Sequence, residues 1–217
     1  KSLIPKVNGN SHEQAGSLKI EKRGKYYVIH LDGKVQKGNS EEVDSVKTKY
    51  NYHSHPEAAY HIHNCEIGFP SRDDYITFLD GFFKYNTNFH IIAAVEGVYI
   101  LKINPCVINK LREFYNKLTN KDQEKFIELI DKWADKNINL SKTGLKRSTG
   151  KKAPDGTNIK DEHTYIEFVN NVLFNKMTVS GQKIELNAPV FDIVYQSWET
   201  VENKVPFVFT AHVQNGQ

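Results

Sequence analysis

The sequence predicts an α/β protein in which a β-sheet is flanked by helices. Short strand-like runs lead up to residue 55, a helical spacing of apolar residues begins near residue 72, and a hairpin pattern follows near residue 90. Side chains alternate between the two faces of a strand, whereas one face of a helix recurs every three to four residues. This order of strands, helix and hairpin suits a helix-flanked sheet.

Four strands are predicted within the first 55 residues. They cover residues 18–20, 25–31, 43–47 and 50–55. The Asp32-Gly33 pair is predicted to turn the chain after the second strand, because glycine tolerates the positive φ of tight hairpin turns. The last of these strands carries two histidines.

A helix and a hairpin are predicted next. The helix spans about residues 72–83, and its buried stripe has the spacing i, i+3, i+4, i+7. The residues of that stripe are Tyr75, Phe78, Leu79 and Phe82. Residues 90–95 and 98–103 flank Glu96-Gly97 and are predicted to form the hairpin.

After Pro105 the pattern becomes mixed α/β. Helices are predicted at 107–118, 121–136 and 161–175, and strands at 183–186, 190–198 and 205–213. The second of these helices has an apolar stripe formed by Phe126, Leu129, Ile130 and Trp133. We therefore divide the chain into a core, 10–104, and an extension, 105–217, which either completes the first sheet or forms its own subdomain.

The segment 139–161 is polar and basic, with Pro154-Asp155-Gly156 as a turn signal. A solvated surface loop is the favoured interpretation. The functional alternative is a flexible loop that contacts an acidic partner or gates a cleft.

Composition limits the classes of partner. The chain has 217 residues, of which 39% are hydrophobic, and a formal net charge of +3. This charge is too small to indicate a nucleic-acid partner, and no apolar run approaches the ~20 residues that span a bilayer. Cys65 and Cys106 lack motif spacing and are interpreted as free thiols of a reducing compartment. We therefore expect an intracellular, cytoplasmic protein without nucleic-acid or membrane partners.

The sequence Tyr-His-Ser-His-Pro at residues 52–56 indicates a metal site. On a strand, His53 and His55 project from the same face and can reach one ion. A catalytic zinc usually takes three protein ligands and keeps a fourth position for water. Asp74, in the Ser-x-x-Asp motif 71–74, is the expected third ligand.

Three motifs in order resemble the JAMM (MPN-plus) metalloprotease family. They are Glu-x-x-Gly-x-Leu at 13–18, His-x-His-Pro at 53–56 and Ser-x-x-Asp at 71–74. The resemblance covers roughly residues 10–103. The family includes zinc isopeptidases that cleave ubiquitin and ubiquitin-like conjugates, and its fold is an α/β sandwich around a curved mixed sheet.

The resemblance implies a role for each motif residue. His53, His55 and Asp74 would bind Zn²⁺, Glu13 would activate the metal-bound water, and Ser71 would help to stabilise the oxyanion. The implied partners are ubiquitin or ubiquitin-like conjugates, with an activating protein partner left open. Two other classes also stay open: a catalytically idle scaffold of a larger assembly, and a metallohydrolase that acts on a non-ubiquitin conjugate.

One spacing departs from the family. Between His55 and Asp74 lie 18 residues, more than the family usually has, and the extra residues fall in 57–68. A loop accommodates such a length at little cost. Asp73 is an adjacent alternative, but the Ser-x-x-Asp register favours Asp74. Ser71 also reads as a helix N-cap, a role that is compatible with catalysis because it would fix Asp74 at the helix start.

The extra segment contains ligand-type side chains of its own. His61, His63 and Cys65 stand at i, i+2 and i+4. No second cluster of cysteines or histidines nearby completes four ligands, although folding could bring His90 close. A second, structural zinc is therefore an open hypothesis. The default interpretation is a surface loop with incidental histidines.

Overall fold

A mixed sheet of six strands forms the centre of the protein. The structure, a computed structural model, describes residues 11–126, 128, 132, 145–153, 156–172, 176–179, 182–186 and 188–202. The first five strands of the sheet are β1 Gln14–Arg23, β2 Tyr26–Lys37, β3 Tyr50–Ser54, β4 Phe89–Ala93 and β5 Gly97–Ile103. Two small hairpins follow, β6 Lys151–Lys152 with β7 Asn158–Ile159 and β8 Lys176–Val179 with β9 Gln182–Glu185. The sixth strand of the sheet is β10 Phe191–Ser197, and the order across the sheet is β10-β5-β4-β3-β1-β2.

Helices flank the sheet, and the α/β class predicted from the sequence is confirmed. The helices are α1 Glu57–His63, α2 Arg72–Tyr85, α3 Ile108–Lys117, α4 Asn120–Glu124, α5 Glu162–Val172 and α6 Trp198–Glu202, and a 3-10 turn, Pro105–Val107, precedes α3. Among the described residues, no helix combines the length and the apolar character needed to cross a bilayer.

The connection from β3 to β4 carries α1 and α2. β3 and β4 are parallel, whereas every other pairing within the sheet is antiparallel. Parallel neighbours require a crossover, because the chain must return to the same end of the sheet. The crossover starts after Ser54, at the carboxyl end of β3, and it brings the start of α2 back to that end.

The predicted helix 72–83 is confirmed as α2. Its stripe packs into the main core, in which Leu79 is fully buried and Phe78 is 3% exposed. The predicted hairpin around Glu96-Gly97 is also confirmed, as β4 and β5.

The first hairpin turns at a different place from the predicted one. Its two-residue turn is Gly24-Lys25, where Gly24 has φ +62°, and β2 continues through Asp32-Gly33. Gly33, with φ +75°, lies instead where the register shifts between Ala15 and Ser17. A glycine with positive φ serves a bulge as well as a turn.

The predicted strand 43–47 is wrong, because these residues have no regular secondary structure.

The second half of the chain completes the first sheet. β10 pairs along its whole length with β5, and one continuous core contains residues from both halves. Predicted strands 183–186 and 190–198 correspond to β9 and β10, and helices 107–118 and 161–175 to α3 and α5. Phe126 is buried as predicted, whereas Leu129, Ile130, Trp133 and strand 205–213 lie outside the described residues. The division at residue 104 stays a prediction.

The basic segment 139–161 contains described residues that are packed against the core. Leu145, Ala153 and Ile159 are at most 5% exposed, and β6 and β7 form a hairpin there. Arg147 forms a two-pronged ion pair with Glu162, at 2.5 and 3.0 Å. The solvated-loop interpretation is therefore wrong for these residues, because apolar positions between the basic ones supply contacts to the core.

Candidate metal centre

β1 and β3 bring three functional side chains to one face of the sheet. Ala15 pairs with His53, and the Gln14 N–H donates to the Ser54 hydroxyl at 3.1 Å. Continuing this antiparallel register sets Glu13 opposite His55. Alternate residues share a face, so Glu13, His53 and His55 all project toward the same side.

The start of α2 supplies the carboxylate. Ser71 caps the helix by accepting from the Asp74 N–H at 3.2 Å, and Asp74 Oδ2 accepts from the Ser71 N–H at 2.5 Å. This reciprocal arrangement is a capping box. It fixes the carboxylate of Asp74 so that Oδ1 lies 3.2 Å from His53 Nε2 and Oδ2 lies 3.5 Å from His55 Nε2.

The three predicted ligands converge. The Nε2 atoms of His53 and His55 are 3.0 Å apart, and Asp74 Oδ1 is 3.2 Å from His53 Nε2. One atom from each residue lies within 4.8 Å of the others, so the group can hold a metal ion. Asp73, the alternative ligand, is 54% exposed at its side chain and bonds to Arg72 instead.

The ring of His55 is fixed by a backbone carbonyl. Its Nδ1 lies 2.9 Å from Gly68 O, an atom that can only accept. Nδ1 therefore carries the proton in the neutral ring, and the lone pair of Nε2 is free for a metal ion. Metal-bound histidines commonly use such a contact to set tautomer and orientation.

The ring of His53 is fixed by a buried relay through His90. His53 Nδ1 lies 2.6 Å from His90 Nε2, and His90 Nδ1 contacts Asn51 Oδ1. The Asn51 amide donates to Val46 O at 2.6 Å, which orients its oxygen toward His90. Asn51 therefore accepts from His90 Nδ1, His90 Nε2 accepts from His53 Nδ1, and the lone pair of His53 Nε2 is free.

The relay depends on a neutral His90. Burial, together with the charge of His53, lowers the pKa of His90 to about 3. From the sequence, His90 is a candidate only for a second metal site. His90 lies opposite Asn51 in the pairing of β3 with β4. This pairing joins segments that are distant in sequence, so local spacing does not predict it.

Opposite charges in the cluster shift the pKa values of the ligands. Burial raises the pKa of the Asp74 carboxyl, but His53 and His55 outweigh burial and hold it well below its usual range. Burial lowers the pKa of His55, but Asp74, Glu13 and the Gly68 carbonyl raise it to about 9. In the metal-free protein, a proton on His55 therefore neutralises part of the carboxylate charge.

Glu13 is a buried carboxylate beside the candidate ligands. It is 7% exposed, and its backbone is held by the loop after β2, through Asn39 O at 2.6 Å and the Gly38 N–H at 2.9 Å. Burial raises the pKa of Glu13, and the charges of His53 and His55 oppose this rise. A carboxylate with a raised pKa beside the candidate ligands is suited to accept a proton.

The second cluster does not form a metal site in the structure. Residues 57–63 are helical, so His61 and His63 are separated by about 200° around the helix axis rather than sharing a strand face. His61 is exposed, and His63 pairs with Glu41 at 3.0 Å. Within the described part of the chain, the group of three or more ligand residues that can hold a metal is His53, His55 and Asp74.

No protein-family model, curated protein or solved structure gives a match to this chain. The chemistry of the centre therefore has to be inferred from its own residues. Two imidazole nitrogens, a carboxylate and a separate buried carboxylate suit metal-assisted hydrolysis, because one set can bind an ion while the other moves a proton.

Proposed function

We propose that this protein is a zinc-dependent hydrolase of JAMM/MPN-plus type that cleaves isopeptide or peptide bonds of ubiquitin or ubiquitin-like conjugates. The observation that carries the proposal is the convergence of His53, His55 and Asp74 beside the buried Glu13. The three motifs of the resemblance supply these residues, and the six-stranded mixed sheet with flanking helices is compatible with the family's curved-sheet fold.

The ligand set fits zinc. Zinc bonds of about 2.0–2.1 Å in a tetrahedral site place neighbouring ligand atoms about 3.3 Å apart. His53 Nε2 lies 3.0 Å from His55 Nε2 and 3.2 Å from Asp74 Oδ1. Two imidazoles and one carboxylate leave a fourth position open, as a catalytic zinc requires.

Each residue has a defined task in hydrolysis. A bound zinc ion would supply a Lewis acid that polarises the scissile carbonyl and lowers the pKa of water. Glu13 accepts a proton from the attacking water and passes it to the leaving amine. The Ser71 hydroxyl accepts from the Asp74 N–H and keeps its own proton for the developing oxyanion, an interaction of about 3–4 kcal/mol in comparable sites.

The substrate class rests on the resemblance, and one structural feature suits it. β2 forms an edge of the sheet, and its last residue, Lys37, directly precedes Gly38, which bonds to Glu13. An extended tail that pairs with a sheet edge can present its carbonyl at such a place. We therefore propose ubiquitin-type tails as substrates, in a cytoplasmic setting and with an activating protein partner as an optional component.

Metal analysis and a conjugate panel test the proposal. The unchanged protein should bind about one zinc per chain and cleave at least one di-ubiquitin or ubiquitin-like conjugate. His55→Ala and Asp74→Asn should lose zinc, whereas the matched control Asp73→Asn should retain it. Glu13→Gln should keep zinc and lower the cleavage rate by about 10²–10⁴-fold, because it removes the proton acceptor.

The outcomes separate the parts of the proposal. Zinc retention by both His55→Ala and Asp74→Asn would show that the ligands are wrong. A zinc-loaded protein that cleaves no ubiquitin-type conjugate would contradict the substrate class and favour a scaffold or another conjugate. An active Glu13→Gln protein would remove Glu13 from its role.

A further inference from the structure

The segment between α1 and α2 contacts the candidate ligand His55 through the backbone of Gly68. The Gly68 carbonyl accepts from His55 Nδ1 at 2.9 Å, and the Gly68 N–H donates to Glu96 Oε1 at 3.0 Å. Both polar backbone groups of Gly68 are therefore engaged. One holds a candidate ligand, and the other is held by a carboxylate from the turn between β4 and β5.

Two tyrosines hold Glu96 in turn. Tyr60, on α1, donates to Glu96 Oε2 at 2.6 Å, and Tyr99, on β5, donates to Oε1 at 2.8 Å. The Tyr60 hydroxyl also accepts from the Val95 N–H at 3.0 Å. Tyr60 is 7% exposed and Tyr99 is fully buried. A buried network in which every member is satisfied is rigid and sets a unique geometry.

The backbone of Gly68 lies directly against the Tyr60 ring. A Cβ at residue 68 would come within 2.3 Å of the Tyr60 hydroxyl oxygen and 2.5 Å of Cζ. On its other side the segment is tied down by two backbone hydrogen bonds between Ile67 and Leu145, at 3.0 and 3.1 Å. The Gly68 carbonyl is therefore fixed from both sides, and its distance from His55 does not depend on a free loop.

We propose that segment 57–68 is an integral part of the metal centre, in which Glu96 and Tyr60 position His55 through the Gly68 carbonyl. This inference rests on the proposed zinc function. Glu96 and Tyr60 are positioning residues, because the hydrogen bonds that link them to His55 run through the backbone of Gly68. Replacing the outer partners of a metal-bound histidine typically weakens metal binding by about 10–100-fold. Segment 57–68 therefore positions His55 in addition to connecting β3 to α2.

Zinc affinity tests this role independently of cleavage. Glu96→Gln and Tyr60→Phe preserve the size of each side chain and remove the carboxylate charge or the hydroxyl. Both should weaken zinc binding by about tenfold, measured by competition with a chelator. The visible absorption of the Co²⁺-loaded protein should change as well, because the orientation of the His55 ring changes. Circular dichroism establishes that each variant is folded before metal is added.

Glu162→Gln is the matched control. Glu162 is buried, at 7% exposure, and its carboxylate pairs with Arg147 rather than with Gly68. It should lower stability and leave zinc affinity and the Co²⁺ spectrum unchanged. If Glu96→Gln does not fold, Tyr60→Phe decides the question.

Unchanged zinc affinity in a folded Glu96→Gln or Tyr60→Phe protein would overturn the inference. An equal loss in Glu162→Gln would overturn it too, since the effect would then reflect general stability. Absence of zinc binding by the unchanged protein would instead overturn the proposed metal centre itself. The unchanged protein therefore distinguishes failure of the metal centre from failure of the positioning role, which only the variants test.

Discussion

Each candidate ligand histidine has a hydrogen bond at Nδ1. This contact determines whether Nε2 presents a lone pair or a proton. His55 is held by Gly68 O and His53 by His90. A neutral imidazole with its proton on Nδ1 presents a lone pair only at Nε2. Both lone pairs therefore point toward Asp74 without a change of tautomer. The direction of the rings is a property of residues outside the three motifs.

Ser71→Ala is expected to separate capping and catalytic effects from metal binding. The substitution removes the N-cap oxygen and should destabilise the protein by about 1 kcal/mol. It also removes the proposed oxyanion donor, so cleavage should slow by about 10²–10³-fold. Zinc affinity should change little, because Asp74 Oδ2 is held by the Ser71 backbone N–H. Thermal unfolding, cleavage rates and zinc titration measure the three effects.

Ser71→Thr is the control for this substitution. It keeps a hydroxyl that can cap the helix and donate, so it should stay close to the unchanged protein in all three measurements. A Ser71→Ala protein that cleaves at the full rate would contradict the oxyanion role.

Zinc affinity is expected to rise with pH up to about 9. His55 has a pKa raised to about 9 in the metal-free protein, so zinc must displace its proton at neutral pH. Affinity should rise about tenfold per pH unit below that value, with about one proton released per zinc. Calorimetry in buffers of different ionisation enthalpy measures this release. A pH-independent affinity between pH 6 and 9 would contradict it.

The raised pKa of His55 affects the stability of the metal-free protein in the opposite direction: stability falls as the pH rises. Because the folded pKa of His55 is raised, its contribution is complete below its ordinary value of 6.5 and is lost as the pH rises through about 9. The metal-free protein should therefore become less stable over this range while zinc binding becomes tighter.

At the scale of elements, the crossover from β3 to β4 builds the centre. β3 ends one residue before His55, and α2 begins one residue after Ser71. The crossover brings these two ends together, and α1 occupies the remaining length with Tyr60 directed to Glu96. The long spacing between His55 and Asp74 is thus a helix and an anchored turn rather than a loop.

Gly68→Ala is expected to weaken zinc binding more than Glu96→Gln does. The added methyl group would lie 2.3 Å from the Tyr60 hydroxyl oxygen, so the Gly68 carbonyl or the tyrosine must move. We expect a loss of zinc affinity of about 100-fold, the upper end for partners of a metal-bound histidine. Zinc titration of the folded variant measures it.

Gly24→Ala provides the control. Gly24 has φ +62° and open space around it, so alanine there is strained by about 1 kcal/mol without a new contact. This variant should lose stability and keep its zinc affinity. Equal zinc affinity in both variants would contradict the importance of the Gly68 position.

At the scale of the whole molecule, the two halves of the chain share one sheet and one core. Ile193 of β10 pairs with Leu101 of β5, and both side chains are buried. Tyr165, on α5, donates to Pro70 O at 2.5 Å and contacts the Tyr75 hydroxyl at 2.7 Å. The second half therefore supports the segment that leads into Ser71 and Asp74.

A fragment of residues 10–104 is expected not to fold by itself. Without β10, the outer edge of β5 is unpaired and the core loses Phe191 and Ile193. Burial contributes about 25 cal/mol per Å² of apolar surface, so losing several such side chains exceeds the usual margin of stability. Circular dichroism and thermal unfolding of the fragment, with and without zinc, test this. Cooperative unfolding of the fragment would support the division at residue 104.

The sequence by itself determined the α/β class, α2, the β4–β5 hairpin and the motif residues. The helix and the hairpin follow from local periodicity. The motif residues are recognisable because few kinds of site need that combination of side chains. The spacing of His53 and His55 indicates one strand face, and the Ser-x-x-Asp motif indicates a capped helix that fixes Asp74. Both inferences use neighbours in sequence, for which geometry is nearly independent of the rest of the fold.

Only the tertiary structure decided which residues support the candidate ligands. His90, Asn51, Gly68 and Glu96 reach the centre through pairings between distant segments, and no local pattern specifies such pairings. For the same reason Gly33 was wrongly expected to turn the chain, and residues 57–63 were expected to be a loop. A glycine suits a turn and a bulge equally, and a short helix with one buried tyrosine has too few residues for its period to be recognised.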